Sequence, residues 1–166
     1  MSNIYSEVLA AVERGEAATL KTEFTGTEGV IAEELKKSIA PYAPQTDVRG
    51  RRFADVTLTE SEGLFTVGEP FSPPERLIIL GAGHIALPVC DFAAKSGFEV
   101  YVCDDRPAFA NTARFPLAQE VLCDSFENCI RQLKITSYDY IVIITRGHTH
   151  DADCLREIFK GTQPAY

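Results

Sequence analysis

The stretch Gly81-Ala82-Gly83-His84-Ile85-Ala86 has residue types and spacing suited to holding a phosphate. It fits G-x-G-x-x-G/A and follows the apolar run Leu77-Ile78-Ile79-Leu80, the context in which that pattern opens a dinucleotide-binding unit. Gly81 permits a tight turn, and Gly83 removes a side chain where a phosphate must approach backbone amides. Ala86 keeps the following helix close to the strand. The helix start, His84-Ile85, offers unpaired N–H groups and a partial positive charge to an anion. Asp104 ends the next predicted strand, roughly twenty residues on, where a carboxylate can accept hydrogen bonds from ribose hydroxyls and repel a 2′-phosphate. Asp105 and Arg106 follow at once. Arg106 can pair with one of these aspartates or reach a ligand phosphate bidentately, and both readings stand.

The chain has three histidines, His84, His148 and His150. Each falls just past the carboxyl end of a predicted strand, the edge at which open α/β sheets bind ligands. His148 and His150 lie in Thr145-Arg146-Gly147-His148-Thr149-His150-Asp151. With Asp151 or Asp153 they could hold a metal, or they could do acid–base work near neutral pH. The preferred reading is plainer: no metal, Asp151 capping a helix, Asp153 favouring its first turn, and the histidines touching a ligand. Arg146 and Gly147 suit a loop that closes on an anion. No nucleophile–base pair stands out, so no catalytic residue is assigned.

Elements must position these groups, and the chain supplies them in two styles. Residues 3–14 read as a helix on Tyr5, Val8, Leu9 and Val12, with Gly15 as its C-cap. Ala18 to Phe24 reads as a strand, with Thr25 to Gly29 as turn material. A second helix is predicted over Val30 to Ile39, carrying Ile31, Leu35 and Ile39 and stopped by Pro41. Phe53 to Thr59 reads as a strand that turns at Glu60 to Gly63 and returns over Leu64 to Val67. Pro70, Pro73 and Pro74 mark a boundary, giving a small α+β region over 1–70 and a Rossmann-like domain over 71–166. In the second region strands Leu77–Leu80, Phe98–Cys103, Glu120–Cys123 and Tyr140–Thr145 alternate with helices His84–Ser96, Asn128–Lys134 and Ala152–Lys160. Pro88 is expected to kink the first of these helices. Strands without polar alternation imply burial on both faces, so the fold class is α/β: a parallel sheet with flanking helices.

Bulk properties narrow the function classes. A net charge of −8 and a pI of about 4.9 argue against non-specific nucleic-acid binding. No run reaches the roughly eighteen apolar residues of a membrane span, and no signal-peptide pattern opens the chain. The five cysteines, Cys90, Cys103, Cys123, Cys129 and Cys154, are odd in number and form no C-x-x-C pair. They read as reduced thiols of a cytoplasmic protein rather than a disulfide framework or a zinc site.

Leu77 to Ala86, Val102-Cys-Asp-Asp-Arg-Pro-Ala-Phe-Ala110, Arg114-Phe-Pro116 and Ile144-Thr-Arg-Gly-His-Thr-His-Asp151 together resemble the XdhC/CoxI family. These accessory proteins mature molybdenum hydroxylases such as xanthine dehydrogenase. The resemblance covers roughly residues 64–166. It implies a maturation chaperone rather than a turnover enzyme, one that binds a molybdopterin-type cofactor and assists its sulfuration and insertion. It also implies a homodimer, a xanthine dehydrogenase-like target and a cysteine desulfurase as sulfur donor. Carried over by position, Gly81, Gly83, His84, Asp104, Arg106, Arg146, His148 and His150 become ligand contacts, with Ile85, Asp105 and Gly147 beside them. Residues 1–63 lack the glycine-rich G-G-G-C-L-E-like run of such proteins. The family continues with a further strand where this chain ends at Tyr166, so an open sheet edge is expected. The same motifs also suit an NAD-dependent oxidoreductase or a nucleotide-sensing regulatory module.

Overall fold

The structure, a computed structural model, describes residues 3–27, 30–42, 45–46, 52–53 and 55–166. The chain divides into two compact units, Met1–Pro73 and Pro74–Tyr166. The first opens with helix α1 (Ile4–Glu13), started by the Asn3 side chain, which accepts from the Tyr5 N–H at 3.2 Å. Val8 and Ala11 form its buried side. Strands β1 (Ala18–Thr27) and β2 (Val30–Pro41) follow as a long antiparallel pair. The predicted helix over Val30–Ile39 is therefore a strand. Its register with β1 slips between Glu23 and Phe24 and again between Thr25 and Gly26. Each slip inserts one residue on β2, and the spacing of four between Ile31, Leu35 and Ile39 suits a helix and one face of a strand alike. Pairing along β1 overrides the helix propensity of Glu33, Glu34 and Lys36.

β3 (Gln45–Thr46) and β4 (Arg52–Phe53) form a small separate ladder. β5 (Thr57–Ser61) and β6 (Leu64–Phe71) make the expected hairpin, turned at Glu62-Gly63 rather than from Glu60. The single strand read over Phe53–Thr59 is thus two, with Ala54 and, in the turn predicted before β2, Glu28 and Gly29 outside the described residues. β6 runs through Gly68 and Pro70 to Phe71, placing the sheet order at β2-β1-β6-β5.

The second unit is a parallel sheet of β7 (Arg76–Leu80), β8 (Glu99–Asp104), β9 (Glu120–Cys123) and β10 (Asp139–Ile143), in the order β10-β7-β8-β9. Successive residues of β7 point to opposite faces and both are covered, which is why the strand is apolar throughout. Ile78 and Leu80 join a core with helices α3 (Phe126–Leu133) and α4 (Asp151–Ile158). Leu77 and Ile79 pack with α2 (Ala86–Lys95) and with Phe115 from the long β8–β9 connection. Pro88 lies in the first turn of α2, where no intrahelical acceptor awaits its missing N–H, so it does not interrupt the helix. At the opposite end of the sheet, fully buried Asp139 takes both Nε and Nη2 of Arg76 at 2.6 Å and the Thr136 N–H at 2.6 Å. The β10 edge is partly dressed rather than open: Ala165 N–H donates to Asp139 O at 2.7 Å, and Ile141 N–H to Tyr166 O at 2.9 Å. No helix among the described residues is long and apolar enough to cross a membrane.

Candidate functional site

The corner between β7 and α2 has its shape from two glycines with different tasks. Gly81 adopts φ +116°, and a Cβ there would lie 2.4 Å from the Ile144 carbonyl oxygen at the end of β10, so only glycine fits. Its N–H donates to Cys103 O at 2.7 Å, tying the corner to β8. Gly83 faces the other way: nothing lies within 4 Å of where its Cβ would be. The N–H groups of Gly83, His84 and Ile85 have no acceptor among the described residues, and α2 has no side-chain N-cap at Ile85. These orphan donors point an anion-binding end of the helix at open space.

Asp104, expected as a ribose contact, is bonded within the chain. It is 1% exposed, and its carboxylate takes four N–H bonds within the chain. Ala82 N–H reaches Oδ2 at 2.7 Å, Arg106 N–H reaches Oδ1 at 3.0 Å, and the Arg106 guanidinium spans both oxygens at 2.8 and 2.9 Å. Burial alone would raise its pKa; the bonds from Arg106 and Ala82 outweigh that and hold it at about 2. Through these four bonds Asp104 clamps the glycine corner and Arg106.

Arg106 stands over the Phe109 ring at 3.9 Å. Arg114, 5.0 Å from the Phe109 centroid, donates Nη1 to Ala82 O at 2.8 Å and to Phe109 O at 2.9 Å. Both Phe109 and Arg114 come from the β8–β9 connection. In the sequence, Arg114-Phe-Pro116 stands out only through the family resemblance, and neither Arg114 nor Phe109 was expected in the site. No local spacing links a loop arginine to a carbonyl thirty-two residues earlier.

The turn after β10 closes the third side. Gly147 and His148 both adopt left-handed φ, +60° and +59°. For a non-glycine residue this conformation is costly and is held by its surroundings. His148 Nδ1 lies 2.7 Å from Asp151 Oδ2, and Thr145 Oγ1 donates to Asp151 Oδ1. These bonds, Thr145 first and His148 second, lower the Asp151 pKa. Asp151 is the first residue of α4, not its N-cap; the cap position is His150, which makes no capping side-chain bond.

The result is a groove of about 480 Å³ at the carboxyl edge of the sheet, lined by Gly83, His84, Ile85, Arg106, Arg146, Gly147 and His148 of the predicted site, together with Phe109 and Arg114. Gly81 and Asp104 stand behind it as supports. Asp105 and His150 are not brought to it. They line a separate cleft of about 400 Å³ beside α3 and α4, where the His150 ring tilts against Phe126 at 5.4 Å. Among the described residues no carboxylate lines the groove; Asp104 behind it pairs with Arg106, and the guanidinium groups of Arg114 and Arg146 add a local positive field in a chain of net charge −8. None of the five cysteines lines it either: Cys90, Cys103, Cys129 and Cys154 are buried, and Cys123 is exposed at the end of β9. Among the described residues no group of His, Cys, Asp and Glu side chains is placed to hold a metal ion.

Fold and groove together define a Rossmann-type α/β domain with a cationic site where the glycine corner meets the carboxyl edge of a parallel sheet. The chain belongs to the XdhC Rossmann domain family, whose pattern matches residues 77–166. It is 32% identical over 88 residues to a probable xanthine dehydrogenase subunit of Bacillus subtilis (strain 168), covering 53% of this chain and 27% of that protein. It is 30% identical over 78 residues to the uncharacterized protein YqeB of Escherichia coli (strain K12), covering 46% of this chain and 14% of that one. Both matches span well under half of those curated relatives. A crystal structure of a xanthine dehydrogenase from Bacillus halodurans shares the fold, with a TM-score of 0.63 at 24% identity over 92% of this chain and 47% of that one.

Proposed function

We propose that this chain is an accessory protein of a xanthine dehydrogenase-type molybdenum hydroxylase, and that it holds the molybdopterin-type cofactor of that enzyme by its phosphate. The observation that carries the reading is the pairing of three orphan amides, on Gly83, His84 and Ile85, with the guanidinium groups of Arg106, Arg114 and Arg146 in one groove free of carboxylates among the described residues. A dianionic phosphate ester satisfies both sets of donors at once. The donors present fit that group; the cofactor itself would supply the molybdenum and dithiolene chemistry of the recipient enzyme. Membership in the XdhC Rossmann domain family and likeness to a probable xanthine dehydrogenase subunit support the choice of recipient.

Since no cysteine lines the groove, the sulfur for cofactor sulfuration arrives on another protein, for which a cysteine desulfurase has the right chemistry. The test is to purify the chain from a molybdenum-replete host, identify any accompanying small molecule by mass spectrometry, and add the complex to apo-xanthine dehydrogenase. A co-purifying pterin phosphate and a rise in hydroxylase activity are expected. An adenine nucleotide in its place, with no activation, overturns the reading.

A further inference from the structure

We infer that binding of phosphate in the groove draws a proton onto His148, and that Asp151 is the positioning residue that fits this imidazole for the task. This rests on the phosphate reading above and adds a control to it: the site holds its ligand more tightly when His148 is protonated. The turn that carries His148 is built for a fixed geometry. Its backbone sits at φ +59°, directly after Gly147 at +60°. A non-glycine residue keeps that conformation only where its surroundings hold it, as they do at binding and active sites. Here His148 N–H donates to Thr145 O at 3.4 Å, and Thr149 N–H and Oγ1 donate to Arg146 O at 3.2 and 2.9 Å. Thr145 Oγ1 donates to Asp151 Oδ1, which leaves Oδ2 for the imidazole.

That last bond fixes the tautomer. An ionised carboxylate only accepts hydrogen bonds, and Nδ1 of His148 lies 2.7 Å from Oδ2, so Nδ1 carries a hydrogen. Nε2 has no partner among the described residues, and the residue lines the groove. A neutral ring therefore presents a lone pair at Nε2, which a phosphate oxygen cannot use. A protonated ring presents an N–H and a charge, which form a charge-assisted bond to phosphate. The charges around the ring let the ligand decide between the two forms. Asp151 approaches from α4, Arg146 from the same turn, His84 from the start of α2, and Arg106 and Arg114 from the β8–β9 connection. Asp104 and Asp105 pair with Arg106 off the groove. Asp151 favours an imidazolium, and the three guanidinium groups of an empty groove oppose one. A dianionic phosphate cancels that opposition, so proton and phosphate each strengthen the binding of the other.

The test titrates the full chain with phenyl phosphate in a calorimeter, in Tris and in HEPES, whose ionisation enthalpies differ. At about pH 7.5 the probe is already dianionic, because phosphate monoesters lose their second proton near about pH 6, so any proton taken up goes to the chain. Uptake of about half a proton or more per phosphate is expected, with affinity falling about fivefold or more between about pH 7 and pH 9. His148→Gln, a change at an exposed side chain, is expected to bind through the remaining donors with no uptake and no such fall. Asp151→Asn keeps an acceptor for Nδ1 without the charge, and is expected to lower both uptake and affinity. Binding without uptake in the unsubstituted chain overturns the inference and leaves the phosphate reading intact. Uptake that persists in His148→Gln assigns the proton to His84 and overturns the inference as well. Uptake unchanged in Asp151→Asn overturns the role given to Asp151. Failure of phenyl phosphate to bind at all overturns the phosphate reading and this inference with it. The comparison with His148→Gln stands whether or not Asp151→Asn folds.

Discussion

At the scale of the residue, Gly81 and Gly83 look equivalent in the pattern G-x-G-x-x-G/A and are not. Gly81→Ala places a Cβ 2.4 Å from the Ile144 carbonyl at a φ of +116°, so it strains the backbone and pushes β10 away. A loss of about 2–4 kcal/mol is expected in urea unfolding. Gly83→Val meets open space and should fold with an unchanged unfolding midpoint, yet its side chain covers the free amides and abolishes phosphate binding in calorimetry. If both variants lose stability alike, the division of labour is wrong. Asp104 gives a second residue-scale prediction. Its pKa is held at about 2, below its ordinary 3.8, so its contribution is complete above the unfolded value and lost as pH falls through about 2. The difference is worth about 2 kcal/mol. Asp104→Asn should therefore cost about that much at neutral pH and flatten the fall in stability between roughly pH 4 and pH 2. An unaltered acid profile, followed by circular dichroism, contradicts this. The position of Asp104 at the end of β8 was legible in the sequence; its partner was not. Arg106 two residues later could turn to the carboxylate or to a ligand, and only the buried geometry decides.

Among the elements, legibility followed the regularity of packing. β7, β8 and β10 are nearly unbroken apolar runs because each is covered on both faces, and their existence could be read directly. β2 could not, because the spacing of four between Ile31, Leu35 and Ile39 serves a helix and a strand equally, and the helix formers Glu33, Glu34, Lys36 and Lys37 favour the wrong choice where pairing with β1 decides. The β8–β9 connection was equally opaque: it has no periodicity, yet Phe115 is buried from it and Phe109 and Arg114 enter the groove from it. One pair of elements depends on a charge pair invisible to pattern. Arg76 at the start of β7 and Asp139 at the start of β10 meet with Asp139 fully buried, and the bond to Asp139 is the largest of the influences that raise the Arg76 pKa. Arg76→Leu leaves that carboxylate buried without its partner, and a loss of about 3–5 kcal/mol is expected. The double variant Arg76→Leu/Asp139→Leu removes the stranded charge and should recover a large part of the loss. Equal destabilisation of single and double variants would show that packing, not charge, joins the strand ends.

On the scale of the whole molecule, the distribution of thiols bears on whether the proposed cofactor would be held or also modified here. Burial pushes the Cys90 thiol up and the Cys154 thiol to about 11. Cys103 is pushed higher still, first by its hydrogen bond with Cys129 and then by burial. The same bond lowers the Cys129 thiol, which is fully buried, so the core thiols are either held protonated or closed to the partner that sulfur transfer requires. Cys123 is exposed but lies at the end of β9, the edge strand on the far side of β8 from β7, and does not line the groove. A thiol reagent should therefore modify one cysteine in the folded chain and all five once it is unfolded. Cys123→Ser should abolish the reaction in the folded state and, on the proposal that another protein carries the sulfur, leave activation of a xanthine dehydrogenase by the cofactor-loaded chain unchanged. If Cys123→Ser still binds the pterin phosphate but yields only desulfo enzyme, this chain carries the persulfide itself, and the exposed end of β9 must reach the cofactor during transfer.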